Sequence, residues 1–174
     1  MARFPTSRPS SFGPVLSSRV RSIAYGGAQT EPALLQDATG ESEPVTVRLH
    51  DMPVLKCSAG HRQFVKPEFA RKLVEHLIGE GEARLPAGEE KGLLFKHYHC
   101  SSCGAELGKQ SDRRETFSID VALPDYTPFR VELSTPVYRC PQCSREQVHS
   151  LKEVRSHTPE ALAYAFRAAE IPPA

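Results

Sequence analysis

Apolar and polar side chains alternate along three segments of the chain, at residues 45–49, 117–121 and 129–133. A period of two places the apolar side chains on one face, which is typical of half-buried strands. The last two segments flank Pro124–Pro128, a stretch rich in turn-forming residues. The pattern therefore predicts one strand that runs toward Cys57, and a later β-hairpin.

Two helices are predicted by a different spacing. Apolar residues recur every four positions at Phe69, Leu73 and Leu77. Pro67 suits the first turn of this helix, and Gly79 suits its end. Thr158 and Pro159 resemble an N-cap followed by a first helical residue, so the second helix is expected to begin there.

The first 44 residues carry no comparable pattern. They are rich in Ser and Arg, they contain no acidic residue before Glu31, and they place three apolar residues at helical spacing: Leu16, Val20 and Ile23. This composition is typical of an organelle transit peptide and also of ordinary disorder. We expect a disordered tail in a cytoplasmic protein, with an organelle matrix as the alternative if the tail is a targeting segment.

The expected organisation is a tail over residues 1–44, a knuckle-like strand–helix unit over 45–92, and a four-cysteine domain with a C-terminal helix over 93–174. A polar stretch rich in Gly and Glu, Gly79–Gly92, separates the two folded parts. The predicted fold class is α+β, with a small antiparallel sheet like that of a zinc ribbon and two flanking helices.

Charge and composition narrow the possible functions. The chain has 174 residues, and 22 Lys and Arg balance 21 Asp and Glu to a net charge of +1. Such a balance gives no global field that would attract nucleic acid or an anionic membrane. No apolar run approaches the roughly 20 residues of a membrane-spanning helix, so no membrane association is expected.

Four of the five cysteines form two C-x-x-C pairs, at Cys100 and Cys103 and at Cys140 and Cys143. Each short turn directs two sulfurs toward one point, and tetrahedral zinc prefers four such ligands. Redox pairs or disulfides are the alternatives, but neither pair sits beside a βαβ pattern of the thioredoxin type. We therefore predict one Zn²⁺ with a structural role, because four thiolates leave no open coordination position.

The region around these cysteines resembles zinc-ribbon modules and, more loosely, the zinc domain of YgiT-type antitoxins. The shared features are C-x-x-C-G at Cys100–Gly104, a β insert, and a Pro-Val approach to the second pair at Pro136–Cys140. The resemblance implies a ribbon with a structural zinc ion. Such antitoxins continue into a helix-turn-helix domain, whereas residues 144–174 hold one predicted helix, so DNA binding by that route is not expected.

Residues 53–61 repeat part of the approach to Cys140, with Cys57 opposite Cys140 and His61 one step beyond the position of the second cysteine. Cys57 and His61, together with His97 and His99, are candidates for a second zinc site. The alternatives are an ordinary thiol with surface histidines, or a nucleophile with its base. The other histidines are interpreted as structural or solvated: His50, His76, His149 and His157.

Three functions are compatible with these features. The favoured one is a zinc-binding interaction or regulatory module whose partner is another protein. The second is nucleic-acid binding through basic residues near the knuckles and in the insert: Lys56, Arg62, Arg113, Arg114, Arg139 and Arg145. The third, and least favoured, is a metal-dependent enzyme that uses the candidate site at Cys57, His61, His97 and His99.

Overall fold

A computed structural model describes residues 29–81, 85–92, 95–111 and 113–172. Residues 1–28, which include Leu16, Val20 and Ile23 of the predicted tail, lie outside this part. Within the described part, neither helix is both long and apolar enough to cross a membrane.

Eight strands and two helices make up the described chain. The strands are β1 (Thr30–Ser42), β2 (Val45–Cys57), β3 (Arg62–Phe64), β4 (Glu89–Lys91), β5 (His97–His99), β6 (Arg113–Val121), β7 (Phe129–Arg139) and β8 (Glu146–Gln147). The helices are α1 (Phe69–His76), which continues into a π-helical turn over Leu77–Gly81, and α2 (Leu151–Ala168). The predicted α+β class with an antiparallel sheet and two helices is confirmed.

The main sheet joins two hairpins in the order β1-β2-β7-β6, and every neighbouring pair is antiparallel. The predicted strand at residue 45 and the predicted β6–β7 hairpin are both present. β2 pairs with β7 from Thr46 opposite Ser134 to His50 opposite Arg130. Because of this pairing, one sheet combines strands from the two segments that the sequence placed in separate units.

Strand β1 corrects the prediction for residues 30–42, which the sequence assigned to the tail. β1 pairs with β2 along its whole length, from Thr30 opposite Cys57 to Ser42 opposite Val45. Its buried positions, Leu35, Ala38 and Gly40, do not alternate strictly. Pairing with a neighbour therefore determines this strand, because its own pattern of side chains is weak.

The core lies between the sheet and the helices. The inward side chains of β2, at Val45, Val47 and Leu49, are at most 1% exposed. The predicted stripe of the first helix is confirmed, since its three residues Phe69, Leu73 and Leu77 are fully buried. Three further rings pack against Phe69: Tyr126 lies 5.0 Å away between ring centroids, and Phe64 and Phe129 each lie 5.8 Å away.

Helix α2 begins at Leu151, eight residues before Pro159, the first helical residue that the sequence predicts. The actual N-cap is Ser150, whose hydroxyl accepts a hydrogen bond from the amide of Lys152 at 3.2 Å. Pro159 lies inside the helix, and the buried hydroxyl of Thr158 donates to the carbonyl of Val154 at 2.9 Å. A Thr-Pro pair is therefore no reliable start signal where packing extends a helix past it.

Helix α2 crosses the sheet directly over Gly40 of β1. A Cβ atom at this position would overlap the carbonyl oxygen of Ala161 and the amide nitrogen of Ala165. Both are backbone atoms of the helix, so no side-chain rotation can relieve the overlap. Gly40 therefore sets how closely α2 approaches the sheet.

We predict that Gly40→Ala lowers the free energy of unfolding by about 2 kcal/mol or more, because the whole helix must shift. Gly79→Ala is the matched control, since its added Cβ meets no neighbouring part of the described chain within 4 Å, and its effect should stay within about 0.5 kcal/mol. Chemical denaturation followed by circular dichroism measures both values. Equal effects of the two substitutions would contradict the close approach.

Candidate metal centre

Each C-x-x-C pair forms the tip of a two-stranded hairpin. The first follows β5, where His99 bridges to Glu106 across the turn. The second lies between β7 and β8, where Tyr138 pairs with Gln147. Both pairs therefore occupy the same kind of tight turn, although they come from distant parts of the chain.

The two turns share one backbone geometry. In the first, the amide of Cys100 donates to the carbonyl of Ala105 at 2.8 Å, and the amide of Gly104 donates to the carbonyl of Cys100 at 2.9 Å. The second turn, Cys140–Arg145, repeats both bonds at 2.9 Å. Gly104 and Ser144 occupy the equivalent left-handed position, with φ of 75° and 60°. Glycine adopts this conformation at little cost, so Gly104 suits its position.

The four sulfur atoms of these turns lie within 4.8 Å of one another. The closest pairs cross between the turns: Cys100 to Cys143 at 3.5 Å, and Cys103 to Cys140 at 3.4 Å. Four sulfurs bound tetrahedrally at about 2.3 Å would lie roughly 3.8 Å apart, so little movement is needed to hold one metal ion. The structure thus brings together all four predicted ligands.

The metal-free thiols differ in acidity. Burial raises the pKa of Cys100, but interactions with the Ser102 amide and the nearby Gln147 side chain outweigh it and lower that pKa to about 6. The Ala105 amide lowers the pKa of Cys103, yet hydrogen bonding with neighbouring cysteine sulfurs raises it to about 12. The cluster therefore favours a thiolate at one corner and a thiol at another. A cation would allow all four to be thiolates.

Gln147 connects the two turns and was not singled out by the sequence. Its side chain is fully buried, although it follows the second turn by only a few residues. Its Oε1 accepts hydrogen bonds from the amide and the hydroxyl of Ser101, at 3.2 and 3.0 Å. A residue of β8 thereby holds the turn that follows β5.

His149 lies beside the centre in an aromatic stack. Its ring is nearly parallel to those of Tyr98 and Tyr138, with centroids 4.2 and 3.3 Å away. Its Nε2 donates to the carbonyl of Gly108 at 3.0 Å. The sequence predicts a structural or solvated histidine here, and the structure shows a buried one. It is followed directly by Ser150, the N-cap of α2.

The turn at Cys57 resembles the two knuckles but is one residue shorter. The amide of Cys57 donates to the carbonyl of His61 at 3.0 Å, and that of Gly60 donates to the carbonyl of Cys57 at 2.9 Å. Gly60, with φ of 91°, takes the left-handed place of Gly104. The position of a second cysteine is therefore missing from the turn, and His61 lies beyond it, with Nδ1 3.7 Å from the Cys57 sulfur.

Cys57 lies far from the four-cysteine cluster. Thr46 of β2 pairs with Ser134 of β7, and Cys140 lies further along β7 in the direction away from Cys57. Strand residues rise about 3.3 Å each, so roughly 35 Å of strand separate Cys57 from Thr46 alone. The sheet thus places the knuckle of Cys140 and its partial repeat near opposite ends.

The predicted second metal site is not formed. His97 lies in β5 beside the first knuckle, where its Nδ1 contacts the carboxylate of Glu106 at 2.7 Å. His99 belongs to the same short strand. In the described part of the chain, the four cysteines are the only such group of three or more potential ligands. Cys57 and His61 therefore do not meet His97 and His99, and the enzyme interpretation loses the site on which it depended.

Several basic residues considered for nucleic-acid binding make internal contacts. These contacts are Arg113 with Glu146 at 2.7 Å, Arg114 with the Pro44 carbonyl at 3.0 Å, Arg62 with the Ala169 carbonyl at 3.0 Å, and Arg139 with Glu146 at 3.6 Å. Guanidinium groups held in this way are less available to phosphates. The geometry therefore gives nucleic-acid binding little support.

Comparisons with known proteins add no relative. No protein-family model, no curated protein and no solved structure matches this chain. The resemblance to zinc ribbons and YgiT-type antitoxins thus remains a prediction that rests on the cysteine spacing and on the geometry of the two turns.

His149 predicts a pH dependence of stability. Burial lowers its pKa below the ordinary 6.5, so the unfolded chain takes up a proton first as the pH falls. The neutral ring therefore contributes its full stabilisation above about pH 6.5, and this contribution declines as the pH falls below that value. Denaturation of the metal-loaded protein at pH 8 and pH 5.5 should show a larger loss for wild type than for His149→Phe.

The Phe variant keeps a stacked ring but cannot titrate, so acid effects on the metal ligands occur in both proteins and cancel in the comparison. Identical losses would contradict the assignment of His149 as a buried neutral ring.

Proposed function

We propose that the four cysteines bind one Zn²⁺ and that the ion has a structural role. The supporting observation is the meeting of four sulfurs from two turns with the same backbone geometry. Soft thiolates in a tetrahedral set suit zinc better than hard cations such as Mg²⁺ or Ca²⁺. Four thiolates close the coordination shell, so this centre offers no open position for catalysis.

The proposed ion would tie two distant parts of the chain together. Cys100 and Cys103 follow the small β4–β5 ribbon, while Cys140 and Cys143 follow the central strand β7. Cys100 and Cys140 lie inside the structure, at 2% and 1% exposure, whereas Cys103 and Cys143 are exposed. The local core at this point is small, with Leu107 as its one large buried aliphatic residue within the described part. A metal would supply stability that so little apolar burial does not.

Zinc content provides the direct test. Elemental analysis of the purified protein should give one Zn²⁺ per chain in wild type. Cys103→Ser should lose the metal and unfold the two cysteine turns with the β4–β5 ribbon, because binding to such ligands is a large part of the folding free energy. Circular dichroism and limited proteolysis of the variant follow the unfolding.

Cys57→Ser is the matched control, since Cys57 lies outside the cluster. It should keep one Zn²⁺ and a native spectrum. A folded, metal-free Cys103→Ser protein would refute the structural role, and a wild type that takes up no zinc would refute the site itself.

We further propose that the protein is an interaction module that binds a helix of a partner protein. A groove of about 640 Å³ lies between α1 and α2. Its floor and walls are mainly apolar: Phe64, Ala70, Val74, Leu162, Ala163 and Phe166. Grooves of this kind commonly receive the apolar face of an amphipathic helix.

Charges at the rim indicate the chemistry of that helix. On α1, Arg71 is paired with Glu75 at 2.6 Å and is largely neutralised. On α2, Arg167 lies over the ring of Tyr164 at 5.1 Å, and it forms no ion pair with an acidic residue of the described chain. An acidic residue beside the partner's apolar stripe would complement Arg167, so the proposed partner helix is amphipathic and acidic on that side.

Two substitutions on α2 test the groove. Ala163→Glu places a carboxylate inside it, whereas Ala168→Glu places the same group on the exposed surface outside it. Proteins that bind wild type and the Ala168→Glu protein should fail to bind the Ala163→Glu protein. The interacting helix of such a protein, made as a synthetic peptide, should bind in calorimetry and should weaken at least tenfold with Ala163→Glu.

If the Ala163→Glu and Ala168→Glu proteins bind the partner equally well, the groove is not the binding site. Retention of nucleic acid, lost steeply with added salt, would instead favour the alternative function.

A further inference from the structure

The side-chain amide of Gln147 is buried beside the metal centre, where its oxygen is hydrogen-bonded but its nitrogen is not. Its Oε1 accepts two bonds from Ser101, but its Nε2 has no hydrogen-bond partner among the residues that the structure describes. The side chain is fully buried, so no solvent can replace a missing acceptor. Leaving a buried amide group without a partner destabilises the fold.

The buried sulfur of Cys100 belongs to the knuckle that this amide contacts. Cys100 directly precedes Ser101, to which the other end of the same amide is bonded. The backbone amide of Ser102 already points at this sulfur from 3.4 Å. A thiolate at Cys100 would thus receive donors from its own turn and from β8.

We propose that Gln147 is a positioning residue of the metal centre, whose Nε2 donates to the Cys100 thiolate while its Oε1 holds Ser101. This role rests on the proposed zinc site and deepens it. The amide fixes the first knuckle relative to β8, and it places hydrogen-bond donation on one of the two buried sulfurs. Groups beside metal ligands that orient them in this way commonly change metal affinity 10- to 100-fold.

Gln147→Glu removes the N–H donor of the side chain while keeping its size and shape nearly unchanged. The carboxylate is close to the amide in size and retains oxygen acceptors for Ser101, but it has no N–H and adds a negative charge next to a thiolate. Gln142→Glu is the control, because it adds the same charge at an exposed position inside the second knuckle. Gln147→Met is a second variant, neutral and similar in size, for the case that the buried charge prevents folding.

Zinc affinity measured by competition with a chelator should fall 10- to 100-fold for Gln147→Glu and about 10-fold for Gln147→Met. Gln142→Glu should change it less than threefold. Co²⁺-loaded protein provides a second readout: loss of an N–H···S bond should move the thiolate-to-cobalt charge-transfer band to lower energy in both Gln147 variants and not in the control.

Two results would overturn the role of Gln147. One is an affinity for both Gln147 variants that equals that of Gln142→Glu. The other is an unchanged charge-transfer band, which would leave Gln147 as a structural brace for Ser101 only. Both presuppose a wild type that binds one zinc ion, so a wild type that binds none indicates failure of the proposed site instead.

Discussion

Strand β7 belongs both to the main sheet and to the four-cysteine cluster, and the rest of the structure depends on this continuity. Its first part pairs with β2 and β6 and buries Val131 and Leu133 in the core. Its last residues pair with β8 and lead directly into Cys140. Because the same strand packs in the main sheet and leads into Cys140, the packing of the sheet fixes the position of the second knuckle. The first knuckle arrives on a separate ribbon, and it must be brought to β7 by other contacts.

Those contacts form a short chain of polar and aromatic groups around the centre. Gln147 holds Ser101 of the first knuckle, and His149 stacks between Tyr98 and Tyr138, one from each side of the centre. Ser150 then caps α2, which packs over Gly40 at the edge of the sheet. The sequence from β8 to the first turn of α2 thus couples the cysteine cluster to the main core. Local unfolding of the cysteine cluster would therefore also disturb the N-terminus of α2, which lies only a few residues after β8.

The sequence predicted the elements whose signal is local. β2, the β6–β7 hairpin and the buried stripe of α1 follow from residue periodicity, and the cysteine cluster follows from spacing that suits one chemistry. β1 could not be predicted, because its pairing with β2 keeps it in the sheet and its apolar residues do not alternate regularly. The sequence predicts an N-cap at Thr158 because Thr-Pro is a strong local signal, whereas the actual N-cap, Ser150, depends on where β8 ends. Gln147 and His149 carry no motif, and only their tertiary neighbours give them a role.

The partial repeat at Cys57 shows how little separates a metal knuckle from an ordinary turn. Its backbone bonds and its left-handed glycine match those of the knuckles, but one fewer residue removes the place of the second sulfur. This end of the sheet is closed differently, by the ring of Phe64 against Phe69 and Phe166. Aromatic burial supplies there the stability that the proposed metal supplies at Cys140, since stacked rings bury large apolar areas. The two ends of the sheet are thus stabilised by different interactions, and of the two only the end at Cys140 carries the ligands for a metal.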